Sequence, residues 1–112
     1  MKRVPFALGF VALAAAPALA GDCTGFVTGV RPLSQYDHAA GHGFLAVRSG
    51  PSRGSQQIGE LYAGDEVSVW ERSGNWYHVR CMAGMCTTPC WGQPTPTGWV
   101  HGRYLQIGGV CP

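Results

Sequence analysis

Lysine is almost missing from this chain: its one lysine is Lys2. Charge of either sign is scarce, at 12% of 112 residues. The eight basic residues include Lys2 and Arg3, so six arginines remain beyond them, against the six acids Asp22, Asp37, Glu60, Asp65, Glu66 and Glu71. A balance near zero with no basic stripe argues against nucleic-acid binding and against electrostatic docking on a membrane. Helical periodicity is absent too. Gly (17) and Pro (8) cut the chain into pieces too short for an amphipathic helix. No glycine-rich loop leads into a helix, which excludes the usual phosphate cradle. The "VRSGPS" stretch from Val47 is therefore a turn: Gly50 gives backbone freedom, and Pro51 fixes φ and donates no hydrogen bond.

One long apolar run does occur, Phe6 to Ala20, preceded by Lys2 and Arg3 and closed by Ala18-Leu19-Ala20. That order of charged, apolar and small residues predicts a secretory signal over residues 1–20, cleaved before Gly21. As a helix the run rises only about 22 Å, short of the roughly 30 Å hydrocarbon core, so it does not read as an anchor. A lipoprotein signal would place the modified cysteine directly after the small residue, and here Gly21 and Asp22 precede Cys23. The expected mature chain, 112 less 20 or 92 residues, suffices for one small domain. A domain of that size buries only about two-thirds of its unfolded surface and gains from cross-links. Its five cysteines, Cys23, Cys81, Cys86, Cys90 and Cys111, read as disulfide formers in a periplasmic or secreted protein, with one left over.

The remainder reads as short strands between turns. "FVTGV" (from Phe26) is a first strand, "RPLSQYDHAAGHG" a long polar loop, and "FLAVR" (from Phe44) the next strand. "IGELY", "EVSVW" and "WYHVR" follow, the last with Tyr77 and Val79 on one face and His78 and Arg80 on the other. "TGWVHGRYLQI" closes the series as strand, tight turn and strand. The fold class is all-β, a small barrel or sandwich of five to seven short strands.

Four ordered blocks, "LAVRSGPS", "IGELYAGDEVSVW", "GNWYHVR" and "TGWVHGRYL", resemble the bacterial SH3 (SH3b) family over about Phe44 to Leu105. Val47 to Ser52, Gly59, Leu61, Gly64, Trp76, Tyr77, Val79, Gly98, Trp99, Val100, Tyr104 and Leu105 fill the family's places. Two departures stand out. Ala46 replaces the usual Asn before Val-Arg, and the last hairpin carries an insertion over about 82–97. The resemblance implies an SH3-like β-barrel over 44–112, with residues 21–43 a strand and loop leading into it. It also implies a stand-alone, non-enzymatic binding or scaffolding module for a cell-wall polymer or an envelope protein, without a cofactor and without a transmembrane segment once the signal is removed.

In a small barrel the first and last strands lie close, so Cys23 is expected to pair with Cys111 and two of Cys81, Cys86 and Cys90 with each other. The alternative is a periplasmic metal-binding or redox-responsive protein. There Cys81, Cys86 and Cys90 with His78 form a tetrahedral site, although their spacing is not that of a zinc knuckle. A cysteine nucleophile needs an activating base in a cleft, for which so small a barrel has little room. His38 and His42 share the long loop and offer a weak metal site, while the histidines otherwise read as surface residues. Among the acids, Asp65 and Glu66 read as turn residues facing solvent, and Glu60 and Glu71 as strand-edge charges. The aromatic side chains supply the ligand-binding candidates. Trp91 stands on the braced insertion, as a binding anchor or folded back to cap an open end of the barrel; Trp70 has parity opposite to Val67 and Val69 and faces out or lies against a neighbouring loop; Tyr62 ends the "IGELY" strand and Tyr36 lies in the long polar loop. Trp76 and Trp99 read as core or half-buried platform. No set of aromatics maps onto the groove that proline-rich recognition needs.

Overall fold

Val27, Val47, Val67, Val69, Val79 and Val100 explain the architecture: each lies in a strand and each is at most 2% exposed. β-branched side chains stiffen an extended backbone, and alternate positions deliver them to one face. The structure is a computed structural model describing residues 23–111; the predicted signal segment lies outside these residues.

Seven strands are formed: β1 Thr24–Val27, β2 Leu45–Arg48, β3 Gln57–Leu61, β4 Glu66–Ser73, β5 Trp76–Ala83, β6 Thr97–His101 and β7 Leu105–Gly108. They form one antiparallel sheet in the order β3-β2-β6-β5-β4-β1-β7. Three short 3-10 turns, Leu33–Gln35, Met85–Thr87 and Gly102–Tyr104, complete the set, and the all-β expectation holds at the upper end of its strand count. No helix among the described residues is long and apolar enough to cross a membrane. Leu45, Leu61, Leu105, Cys23, Cys81 and Cys86 join the valines in one core.

Three details position the site. The first strand begins and ends earlier than "FVTGV" suggests, because the chain leaves extended geometry at Gly29, whose φ is +75°. That strand pairs with both β4 and β7, so the segment before residue 44 supplies part of the sheet. The β2–β6 seam rests on the single pair Arg48–Trp99, and there the sheet is held by few ladder bonds. Gly98 lets the strands approach: a Cβ on it would stand 2.6 Å from the Arg48 carbonyl oxygen.

The insertion joins β5 to β6 and folds back over β3, the outermost strand on its side of the sheet. Gly92 lies against Gly59 and the Ile58 carbonyl, and Pro96 packs over Gly59. Covering an edge strand in this way removes a template for unwanted strand pairing. The insertion is itself tied down by a Cys81–Cys86 disulfide and by the Thr95 N–H donating to the Cys86 carbonyl at 3.3 Å. A second disulfide joins Cys23, fully buried ahead of β1, to Cys111, with Cα atoms 4.7 Å apart.

Candidate functional site

Parity along β3 sends Gly59 and Leu61 toward the core and Glu60 and Tyr62 to the opposite face, where solvent would be expected. The structure corrects that expectation. Glu60 and Tyr62 are both 0% exposed, because the 32–43 loop and the insertion close over them. The Tyr62 hydroxyl donates to Glu60 Oε1 at 2.8 Å and accepts from the Cys90 N–H at 2.7 Å. His38 Nδ1 meets Glu60 Oε2 at 2.7 Å. One buried carboxyl group thus holds strand, loop and insertion together. Tyr36 packs against Tyr62 with ring centroids 6.0 Å apart. Burial, and then the neighbouring Glu60 carboxyl group, push the hydroxyls of Tyr36 and Tyr62 well above the usual tyrosine range.

Asp65 departs from expectation in the same way. It is 2% exposed. Its two carboxyl oxygens accept from the Tyr62 N–H and the Met85 N–H, each at 2.8 Å. Burial raises its pKa above the usual value, and those backbone donors oppose the rise.

A column of rings extends from this network. Trp91 stacks on His38 at 4.5 Å, and His38 stacks on Phe44 at 5.6 Å. Trp91 keeps 37% of its surface exposed. His38 is accordingly a packed member of the fold rather than a free surface residue. Tyr36, Tyr62 and Trp91 come together here, but Tyr62 has no surface to offer a ligand and acts as a support. Trp70 lies elsewhere, at an irregularity of β4 where the register passes from Val69 to Glu71; it is 43% exposed and donates from Nε1 to Ser68 Oγ at 3.0 Å. Cys81 and Cys86 are bonded to each other, which removes two of the four ligands of the alternative metal site, and no metal-holding group of His, Cys, Asp or Glu occurs among the described residues. Cys90 remains an exposed free thiol.

On the far side of Phe44 lies an open groove of about 590 Å³. Arg31, Arg48, Arg53 and Arg103 line it, with His42 and His101, and no acidic residue does. Four of the six arginines beyond Arg3 therefore line one recess, a local cluster that the charge balance and the lack of a basic stripe along the sequence did not indicate. Sequence order hides the cluster, because the four residues come from four separated segments. The loop after β1 brings Arg31, the end of β2 Arg48, the β2–β3 turn Arg53, and the 3-10 turn before β7 Arg103. Arg48 Nη1 donates to the Ser55 carbonyl at 3.0 Å, which fixes that guanidinium against the turn. Arg103 stands over the Tyr104 ring at 5.5 Å. Trp76, His101 and Tyr104 form an aromatic wall, with Trp76 to His101 centroids 5.2 Å apart.

Gly43 shapes the rim. Its φ is +83°, and a Cβ on it would stand 2.6 Å from Tyr36 Cα. Only glycine permits the loop to close so tightly before Phe44.

A family model described as bacterial SH3 domain matches residues 43–106. No match was found among curated proteins or solved structures. The matched span runs from the Gly43 rim through β2–β6 into β7 and covers more than half of the chain, and so the chain belongs to the bacterial SH3 domain family.

Proposed function

We propose that this protein is an exported, non-enzymatic binding module for a cell-envelope component, peptidoglycan or an envelope protein. Bacterial SH3 domains are generally binding modules, often connected with the cell wall. The observation that carries the reading is the open, preformed groove walled by Trp76, His101, Tyr104 and Phe44. Its volume lies in the range of about 300–1,000 Å³ over which proteins hold small ligands or short segments of larger ones. Rigid aromatic walls lose little conformational entropy on contact, which favours recognition. Two disulfides fit an oxidising compartment, in keeping with the predicted signal.

Trp91 extends the surface. One face is taken by His38, and the remaining exposed area adjoins the ring column that ends at Phe44. The test is sedimentation of the purified mature protein with isolated sacculi. We expect co-sedimentation, reduced about tenfold in apparent affinity by Trp76→Ala and more weakly by Trp91→Ala. Protein that stays in the supernatant and copurifies with no envelope protein contradicts the reading.

A further inference from the structure

We infer that the groove is a receptor for a compact polycarboxylate, of the kind a short acidic peptide presents. It rests on reading the groove as the binding face, and it adds the chemistry of the ligand.

The four arginines line the recess from four segments, so their charges gather around one compartment. Converging charges suit a compact ligand; tracking a polymer backbone calls for a stripe. Both ion pairs among the described residues involve histidine, His38 with Glu60 and His78 with Glu71, so none of the four arginines has a carboxylate partner among those residues. Among the acids of the surrounding segments, Glu60 is engaged by His38 and Tyr62 and Asp65 by two backbone N–H groups, while Asp37, whose backbone bridges His42 at the groove, accepts from the Ala40 N–H at 3.2 Å.

Unpaired like charges lining one recess repel one another, and an anion relieves that repulsion. A guanidinium presents a planar fork of donors that matches a carboxylate with two parallel bonds. Arg48 is already oriented by Ser55, and Arg103 by the Tyr104 ring. The apolar wall of Trp76 and Phe44 then receives the carbon skeleton between the carboxylates.

The experiment titrates the purified mature protein with the tripeptide Glu-Glu-Glu, following tryptophan emission, to which Trp76 contributes, and heat of binding. Comparison probes are amidated Gln-Gln-Gln, inorganic phosphate and the oligonucleotide dT10. We expect saturable binding of Glu-Glu-Glu at least tenfold tighter than of the other three, weakened by 0.5 M salt. Arg31→Gln with Arg103→Gln should reduce it at least tenfold, both side chains being exposed and outside the core. The charge-matched pair Arg72→Gln with Arg80→Gln, outside the groove, should leave it within twofold.

Equal binding of the two tripeptides, or equal loss in both double variants, overturns the inference. Tighter binding of phosphate or of dT10 overturns it too, and assigns the arginines to phosphate. Sacculus sedimentation without tripeptide binding refutes this inference alone, while tripeptide binding without sedimentation refutes only the envelope reading.

Discussion

At the scale of single residues, Glu60 governs more of the molecule than its place in the sequence suggests. A buried carboxyl group is tolerated only where its oxygens are satisfied, since each orphaned polar group costs about 1–3 kcal/mol. Here Tyr62 and His38 supply the partners at 2.8 and 2.7 Å. The same arrangement makes folding sensitive to alkali. In the fold the Tyr36 and Tyr62 hydroxyls titrate above their ordinary value of 10.0, chiefly through burial. An unfolded tyrosine releases its proton near 10, so the stability these residues contribute is fully present below that pH and is lost as the pH rises past it. Urea unfolding of a Cys90→Ser background between pH 9 and 11 should show stability falling with pH. Tyr36→Phe with Tyr62→Phe should flatten the fall; an unchanged slope would mean that these hydroxyls ionise normally in the fold.

At the scale of elements, the insertion and the long loop convert an edge strand into an interior one. Both close over β3, the insertion through Gly92 and Pro96 on Gly59 and the loop through His38 on Glu60. The disulfides divide the bracing. Cys23–Cys111 spans 88 residues, and Cys81–Cys86 spans five. In the chain-entropy model the long link contributes about 4–5 kcal/mol and the short one about 2 kcal/mol. Cys23→Ser with Cys111→Ser should therefore lower the denaturant midpoint by about twice as much as Cys81→Ser with Cys86→Ser. Equal losses would show that the short link holds more than its own turn, through the insertion. Most of the elements were legible in advance: alternation in "EVSVW" and "WYHVR" and the Gly-Pro turn after Arg48 gave β2, β4, β5 and β6 close to their observed places. The span of β1 was less so, because its limits come from pairing with β4 and β7 and from the turn at Gly29.

At the scale of the whole molecule, a chain balanced in formal charge becomes strongly asymmetric once folded. Four arginines gather around one recess while two of the acids, Glu60 and Asp65, are withdrawn into the interior. Counting charges along the sequence cannot reveal this. The arginines are separated by up to 72 positions, from Arg31 to Arg103, and it is the pairing of β2 with β6, whose end leads into the 102–104 turn, that brings Arg48 and Arg103 to one side of the sheet. The buried acids escaped for a related reason: strand parity assigns a face, but not what another segment lays across it. Of the aromatic candidates, Trp70 has the outward parity that its 43% exposure reflects, Trp91, open in the sequence between anchor and cap, is 37% exposed and stacked on His38, and Tyr62 is fully buried.

We propose the arginine-lined groove as the place where the protein holds its partner. The most direct measurement is a ¹H–¹⁵N chemical-shift titration of the mature protein with solubilised peptidoglycan fragments. Saturable shifts should cluster at Gly29–Arg31, Phe44–Arg48 and His101–Tyr104. Shifts centred on Trp70 and Arg80, or no shifts at any concentration that sediments the protein with sacculi, would contradict the proposal.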